Sequence, residues 1–279
     1  MGKSVSITLG TGSLNHNNGV FCTENVDPTL TPNNVVLTQQ KLEDVYHSIF
    51  SEALERYNQK QKRKDRQIEN YLEHIRHSKN GEKEFHEIVV QVGDRYDTGF
   101  QSAGAQIAKE ILIQYYQEFL NRNPNMRVFN AVIHMDEKDG TPHMHIDFIP
   151  IATGQKQGLE TKNSMRQALQ QQGFDFKSTQ IQLKNPDIIA TYSKPVAKIG
   201  GGRWLDSERE SLGAILEHNG IEWDHQGVKC DHLTVKEYKA CAEIVDKEIQ
   251  QTEPKKLITR EPNKPMKLAG LKDNELIVL

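Results

Sequence analysis

Cysteine is scarce in this chain, and its spacing excludes the sites that cysteine usually builds. Only Cys22, Cys230 and Cys241 occur in 279 residues, and no two of them form a CxxC pair. Closed structural zinc sites usually contain such pairs, so a zinc finger is excluded. The chain also lacks an apolar run long enough to span a membrane, and a charged-then-apolar secretory segment at its N-terminus. We therefore expect a cytoplasmic protein with no membrane partner.

A strong excess of positive charge is lacking as well. The 35 Lys and Arg residues face 38 Asp and Glu residues, which gives a net charge of −3 and argues against a uniformly basic nucleic-acid-binding protein. Charge is nevertheless clustered in one short segment, where Asp65 is the single acid among five cations: Lys60, Lys62, Arg63, Lys64 and Arg66. Such a run indicates either a solvated helix face or a patch that contacts DNA phosphates, and the residues alone leave both open.

What the chain does have is a histidine-rich β-hairpin between Val128 and Pro150, with the sequence VFNAVIHMDEKDGTPHMHIDFIP. Both flanks are rich in apolar, β-branched and aromatic residues, and Asp139-Gly140 between them is a turn signal. His143 and His145 are two residues apart, so both side chains should leave the second strand on the same face. His134 ends the first strand and should lie beside them.

Three converging imidazoles predict a metal site on this hairpin. Neutral imidazole suits Zn, Mn, Fe, Co, Ni or Cu better than Mg or Ca, which prefer oxygen ligands. Three histidines also leave coordination positions open, which favours a catalytic site over a structural one. Asp136 and Glu137 place two carboxylates next to the histidines.

The remaining pattern predicts strands interrupted by helices, and so an α+β fold with an antiparallel sheet covered by helices. We expect strands at Val5–Leu9, Val35–Leu37 and Phe85–Val92, a helical pattern from Gln40 to about Lys79, and helices at Ser102–Leu120, Thr161–Gln172, Trp204–His218 and Val235–Gln250. Ile221–Trp223 fits a short edge element, and Phe174–Gly202 reads as a loop-rich connection. Its last three glycines indicate a flexible joint before the next helix, with a phosphate cradle as the alternative. The expected organisation is one domain over residues 1–250 and a charged tail over residues 251–279.

The hairpin block resembles the HxDE…PHxH motif of the MobV, or Mob/Pre, relaxases, which nick one DNA strand at a plasmid transfer origin. The N-terminal run SVSITLGTGSLNHNNGVFCTENVDPTLTPNNVVL is similar to that family's opening motifs, and KRKDRQIENYLEHI and FHEIVVQVG lie where the family has a basic helix and a following strand. The resemblance covers roughly residues 4 to 245, and the hairpin motif is its most specific part. Full-length relaxases of the family usually continue into a long helical region, so this chain would be a relaxase domain alone.

This resemblance implies an HUH-type relaxase fold with its metal site on the central hairpin. His134, His143 and His145 match the family's metal ligands, and the metal would be a divalent cation, Mn²⁺ first, with Mg, Co, Ni or Zn as alternatives. His16 stands where the family has its histidine nucleophile. Glu137 would orient His16 and stabilise the charge that develops on it, and Asp136 would accept the free ring N–H of a ligand histidine. The implied partner is origin-of-transfer DNA, as a single strand or hairpin, and a homodimer stays open.

The chain departs from the family pattern at two places. Asp139-Gly140 looks like an insertion of two residues in the turn, and Gly19 stands where the family often has an arginine three residues after its histidine. Two alternative functions therefore remain beside the relaxase. One is another metal enzyme: a small-molecule hydrolase, or a rolling-circle replication initiator of the HUH type that uses a tyrosine, drawn from Tyr46, Tyr57, Tyr71, Tyr96, Tyr115 and Tyr116. The other is a DNA-binding autoregulator that binds the origin without cutting it.

Overall fold

The described part of the chain folds into an α+β arrangement of one antiparallel sheet and six α-helices. The structure is a computed structural model that describes residues 2–20, 25–100, 102–137, 140–174 and 196–225, with the backbone alone at 196–200. In chain order the elements are β1 Val5–Leu9, α1 Leu14–Asn17, β2 Val35–Gln39, α2 Leu42–Lys60, α3 Tyr71–Arg76, β3 His86–Val92, α4 Ala103–Arg122, β4 Met126–His134, β5 His143–Ala152, β6 Lys162–Asn163, α5 Met165–Gln171 and α6 Val196–His218. Single turns of 3-10 helix lie at Thr31–Asn33 and Lys64–Arg66.

The strands are hydrogen-bonded in the order β1-β3-β5-β4-β2, all antiparallel, and β6 pairs with the far end of β5. This confirms the predicted fold class and the β4–β5 hairpin at the centre of the sheet. In the hairpin His134 lies opposite His143, and Asn130 lies opposite Asp147. Directly opposed residues of an antiparallel pair share one face, so the register alone gathers polar side chains on one side of the sheet.

The two faces of the sheet are covered differently. One face carries buried apolar residues such as Val90, Ile146 and Phe148, and it packs against the apolar sides of α4 and α6, whose Trp204 is fully buried. The opposite face is covered by α2 and α3 through a second apolar cluster that includes Ile149, a residue towards the far end of β5. The hairpin end of that second face is left to polar side chains, and the candidate site lies there.

The predicted helical pattern from Gln40 to Lys79 is interrupted, so a continuous helix there is wrong. Helix α2 ends at Lys60, and α3 begins after Asn70, whose side chain accepts a hydrogen bond from the Glu73 amide at 3.1 Å. Between them the Asn58 side chain donates to the Ile68 carbonyl at 2.8 Å and accepts from the Ile68 amide at 2.9 Å. Asparagine side chains that bond the backbone in this way compete with helix continuation.

Two other predicted boundaries also shift. Helix α6 starts at Val196 and runs through Gly200, Gly201 and Gly202, so the predicted loop and flexible joint, and the phosphate cradle with them, are wrong at these residues. Helix α5 begins only at Met165, because Lys162–Asn163 pair with β5 as β6. A strand pairing that satisfies the backbone replaces the first helical turn that local sequence favoured.

The short edge element at Ile221–Trp223 is confirmed as an extended segment beside the N-terminus. The Lys3 amide donates to the Glu222 carbonyl at 2.8 Å, and the Asp224 amide donates to the Lys3 carbonyl at 2.9 Å. The predicted helix over 235–250 and the tail over 251–279 lie outside the described residues. None of the helices in the described ranges is long and apolar enough to cross a membrane.

Candidate metal centre and nucleophile

Four imidazoles meet at the hairpin end of the sheet. The centroids of His134 and His143 are 5.3 Å apart, those of His134 and His145 are 5.0 Å apart, and those of His143 and His145 are 5.1 Å apart. The fourth ring is His16, which stacks on His134 at 5.2 Å and meets His145 edge-on at 5.5 Å. All four histidines predicted as site residues are therefore brought together, although His16 is 118 positions before His134. We call this set the histidine cluster.

Helix α1 delivers His16 as one turn that ends in a Schellman motif. The Val20 amide donates to the Asn15 carbonyl at 2.8 Å, and the Gly19 amide donates to the His16 carbonyl at 2.9 Å. This ending requires a left-handed residue, and Gly19 has a φ of +69°. An arginine or any other residue with a Cβ would be strained at that position, so the backbone geometry favours glycine there.

His143 and His145 each donate one ring N–H outward. The Nδ1–H of His145 donates to Oε1 of Glu87 at 2.6 Å, and the Nδ1–H of His143 donates to the Thr141 carbonyl at 3.0 Å. Carboxylate and carbonyl oxygens accept only, so these contacts place the ring hydrogens on Nδ1 and leave Nε2 with a lone pair. Nε2 of His145 is buried and has no hydrogen-bond partner. An unpartnered buried lone pair is costly unless something binds it, and a cation fits that role.

His134 shows the same arrangement with the nitrogens exchanged. Its Nε2–H donates to the Asn17 carbonyl at 3.1 Å, while its buried Nδ1 has no hydrogen-bond partner and lies 3.5 Å from Oδ1 of Asp136. Asp136 is itself fixed, because its Oδ2 accepts from the Thr31 hydroxyl at 2.9 Å and from the Asn34 amide at 2.8 Å. Asp136 is thus near His134 but on the side of its bare nitrogen, at a separation longer than a hydrogen bond, while the ring N–H that Asp136 was predicted to accept is bonded to the Asn17 carbonyl.

The Glu137 carboxylate lies beside the histidine cluster, close to His143 and to His16. Its Oε1 is 3.9 Å from Nε2 of His143, and one carboxylate oxygen, one His16 nitrogen and one His134 nitrogen all lie within 4.8 Å of one another. The tightest group of metal-type ligand atoms in the described residues is therefore His16, His134 and Glu137. This set differs from the predicted set of three hairpin histidines and shares His134 with it. The outward hydrogen bonds of His143 and His145 favour the hairpin set.

Burial keeps the hairpin histidines neutral. Desolvation is the largest influence on the pKa of His134, His143 and His145 and lowers all three below the ordinary value for imidazole. The neighbouring imidazoles lower each pKa further, while Glu87 opposes this at His145 and Glu137 opposes it at His143. Neutral imidazole is the form that binds a metal, so the lowered pKa of these three histidines favours metal binding at neutral pH.

Two buried carboxylates beneath the cluster were missed by the sequence reasoning. Glu87 lies opposite Asp147 in the β3–β5 register, and the Asn17 side-chain amide donates to both of them, at 2.8 and 2.9 Å. Burial raises the pKa of Asp147 to about 7, with hydrogen bonds from Asn130 and Asn17 opposing it. A usable signal existed for Asp147, because His143, His145 and Asp147 alternate on one strand face.

The backbone of Gly10 and Gly12 approaches the Glu87 carboxylate so closely that a side chain at Gly10 would collide with it. The Gly12 amide, at a φ of +77°, donates to Oε2 of Glu87 at 2.6 Å. A Cβ added at Gly10 would lie 1.9 Å from the same oxygen. Burial raises the pKa of Glu87, but hydrogen bonds from His145, Gly12 and Asn17 outweigh it and lower the pKa overall. Glu87 is therefore an ionised carboxylate held against His145.

The predicted DNA-contacting cations are all exposed and are not in one helix. Lys60 ends α2, and Lys62, Arg63, Lys64 and Arg66 follow in the connection to α3. Arg63 pairs with Asp65 through two hydrogen bonds of 2.9 and 2.5 Å, which removes one cation from the run. The predicted basic helix is thus a basic connection, beside an open cleft of about 610 Å³ that Lys60 lines together with Arg56 and Lys156.

Comparison with known proteins identifies one family and one group of similar structures. The family model Mob_Pre, plasmid recombination enzyme, matches residues 21–185, which is more than half of the chain and includes the hairpin but not His16. A MobM relaxase domain bound to 22-nucleotide oriT DNA of plasmid pMV158, Mn-bound, is 15% identical with a TM-score of 0.46, over 85% of this chain and 99% of that one. The Mn-bound form with 22 nucleotides and a 3′ thiophosphate is 17% identical with a TM-score of 0.46, over 85% and 98%. No curated protein matches significantly.

Proposed function

The chain belongs to the plasmid recombination enzyme family, Mob_Pre, and from this premise we propose that it is a metal-dependent relaxase. It binds a plasmid transfer origin, nicks one DNA strand by transesterification and keeps the 5′ phosphate on the protein, so that the strand can be mobilised and rejoined. The observation that carries the proposal is the histidine cluster, where three hairpin imidazoles, each with one ring nitrogen that donates no hydrogen bond to the protein, lie beside a fourth imidazole from α1.

The hairpin histidines fit a divalent metal by the chemistry of their free atoms. His134, His143 and His145 would hold it, with the Glu87 carboxylate fixing the ring of His145 and the Asn17 carbonyl fixing the ring of His134. The cation would polarise the scissile phosphate and neutralise charge on its oxygens. Mn²⁺ is the ion that the MobM relaxase-domain structures contain, and it is the first one to test.

His16 supplies the nucleophile. One neutral ring nitrogen donates its lone pair to phosphorus, the P–O3′ bond breaks, and the departing 3′ oxygen takes up a proton from water. The His16 ring becomes positively charged as the N–P bond forms, and the Glu137 carboxylate, whose oxygen lies within 4.8 Å of a His16 nitrogen, stabilises that charge. Stacking against the neutral His134 ring holds the plane of His16 during this step.

Four of the six alternative tyrosines have less support as the nucleophile than His16 has. The Tyr46 hydroxyl donates a hydrogen bond to the Glu84 carbonyl, and the Tyr115 hydroxyl donates one to the Glu208 carboxylate. The Tyr71 hydroxyl accepts a hydrogen bond from the Asn163 backbone amide. Burial raises the pKa of all three, which makes the phenolate harder to form. Tyr116 shares a hydrogen bond of 2.5 Å with Thr38 on β2. These side chains have structural partners away from the histidine cluster.

Exposed cations provide the charge for DNA binding, although the net charge is −3. Lys60, Lys62, Lys64 and Arg66 carry the positive charge of the connection after α2, since Arg63 is neutralised by Asp65. They would contact phosphates of the origin DNA, and such contacts carry affinity without reading sequence.

The test is a nicking assay on supercoiled plasmid that carries the cognate origin, with Mn²⁺ and with EDTA in its place. We expect a nick whose 5′ end enters a denaturing gel only after protease treatment, and its loss in His16→Ala. The matched control is His47→Ala, which removes an exposed histidine on α2 and should nick like the wild type. A free 5′ phosphate without an adduct would make the protein a hydrolase, and tight origin binding without a nick would make it an autoregulator.

A further inference from the structure

Asn17 is the side chain that joins α1 to the sheet beneath the histidine cluster. It is almost fully buried, with 1% of its surface exposed, although its neighbours on the turn are exposed or half-buried. Its side-chain nitrogen donates both hydrogens, to Glu87 at 2.8 Å and to Asp147 at 2.9 Å. Glu87 is an ionised carboxylate that only accepts, so the side-chain nitrogen of Asn17 must face it, and the amide has one permitted orientation.

The backbone of the same residue holds the ring on which His16 stacks. The Asn17 carbonyl accepts the Nε2–H of His134 at 3.1 Å, and His16, the preceding residue, lies against that ring at 5.2 Å. One residue therefore fixes three items of the site: the tautomer of His134, the carboxylate that holds His145, and the position of α1.

Helix α1 needs such an anchor, because the other contact of its side chains with the core is Leu14, which is half-buried against the second apolar cluster. The helix has four residues, its preceding Ser13 makes no side-chain capping hydrogen bond, and Asn17 is its one fully buried residue. An isolated turn of this length has no stability of its own. Without the Asn17 amide, the two carboxylates below it would also lose a shared donor in a buried position, where repulsion is strong.

We propose that Asn17 is the positioning residue for the attack by His16. It clamps the turn onto the buried Glu87–Asp147 pair and so keeps the His16 ring against the hairpin histidines at the distance that attack requires. The proposal rests on the relaxase function, in which His16 is the nucleophile. Asn17 is buried, so it acts through the turn that carries His16 and not through contact with DNA.

The test compares Asn17→Ala with two controls under single-turnover conditions. Asn15→Ala removes an exposed asparagine from the same turn, and Asn130→Ala removes the other side-chain amide that donates to Asp147, from β4 and not from α1. We expect Asn17→Ala to lower the nicking rate at saturating DNA by about 100-fold, as misplacement of a reacting group does. The DNA concentration for half-maximal rate should stay within about twofold of the wild type. The Mn²⁺ affinity should fall by less than about 10-fold, because Glu87 keeps its bonds to His145 and Gly12. Asn15→Ala should nick at the wild-type rate, and Asn130→Ala should lower the melting temperature with little effect on the rate.

A second readout does not depend on nicking. Trypsin releases residues 4–41 as one peptide, and His16 is its single histidine, so carbethoxylation of His16 can be followed by mass spectrometry. Release of α1 in Asn17→Ala should speed this modification several-fold, while Asn15→Ala should not. Unchanged modification and an unchanged rate would overturn the proposal, and a parallel loss of rate, metal affinity and melting temperature would reduce Asn17 to a structural residue. If the wild type fails to nick, the modification rates still decide whether Asn17 anchors the turn.

Discussion

Replacing Glu87 by glutamine should weaken metal binding through His145. The Glu87 carboxylate accepts from the His145 ring at 2.6 Å, from the Gly12 amide at 2.6 Å and from the Asn17 side chain at 2.8 Å. Glutamine offers one acceptor oxygen where three donors converge. Its NH₂ group would point at another N–H donor, either the Gly12 amide or the His145 ring, and neither could then form a hydrogen bond. The His145 ring then loses its charged partner, and with it both its fixed tautomer and part of its basicity as a ligand.

The size of the effect follows from the burial of this contact. Loss of an acceptor behind a ligand histidine costs roughly 10- to 100-fold in metal affinity, or about 1.4 to 2.7 kcal/mol. We expect Glu87→Gln to lie near the upper end, because Glu87 is 4% exposed and water cannot replace the carboxylate. The loss of a charge-assisted hydrogen bond in a buried position is expected to be larger than at the surface.

The assay is calorimetric titration of metal-free protein with Mn²⁺ at pH 7.5. The matched control is Glu82→Gln, which neutralises an exposed acid four residues before the start of β3 and should bind Mn²⁺ like the wild type. Circular dichroism melting without metal separates a folding defect from a ligand defect. Mn²⁺ affinity in Glu87→Gln within about twofold of wild type would refute the role given to this carboxylate.

Three further perturbations follow from the same geometry. His143→Ala should lower Mn²⁺ affinity by more than about 100-fold while His16→Ala leaves it nearly unchanged, and an equal loss in both would place His16 among the ligands. Burial raises the pKa of Asp147 to about 7, so the folded chain binds a proton at the Asp147 carboxyl more tightly than the unfolded chain does. The stability that this proton contributes is lost as the pH rises towards 7. Asp147→Asn should therefore gain stability relative to wild type between pH 5 and pH 8, by about 2 kcal/mol in urea unfolding, and a pH-independent difference would contradict this. Lys64→Ala and Arg66→Ala should each weaken binding to any DNA and reduce the salt slope by about 1, whereas unchanged slopes would remove this segment from the DNA contact.

The hairpin could be predicted from sequence because its information is local. Alternation at a period of two put His143 and His145 on one face, and the turn between the strands brought back His134. The ring of His16 could be placed only through the family resemblance, since nothing local connects it to a strand more than a hundred residues away. Its position depends on a buried anchor, Asn17, which as one asparagine among several in a polar loop carried no signal.

The features that sequence did not predict have a shared physical cause. Contacts between residues distant in sequence, and side chains that hydrogen-bond to the backbone, compete with the local preference of the chain. Glu87 is 58 positions from His145, and only the pairing of β3 with β5 makes them neighbours. The predicted helix after Lys60 gives way to backbone bonds from the Asn58 side chain. The glycines at 200–202 lie inside α6. The packing of this helix in the core, where Trp204 is buried, outweighs the weak helix propensity of glycine. Tertiary packing of this kind overrides local propensity.

The most direct test of the central claim is to locate the covalent bond to DNA within the chain. Nicked adduct formed with Mn²⁺ would be digested with trypsin and nuclease at neutral pH and analysed by mass spectrometry. Residues 4–41 form one tryptic peptide with a single histidine, His16, and no tyrosine. The account predicts the nucleotide on this peptide. A nucleotide on any tyrosine-containing peptide would contradict it.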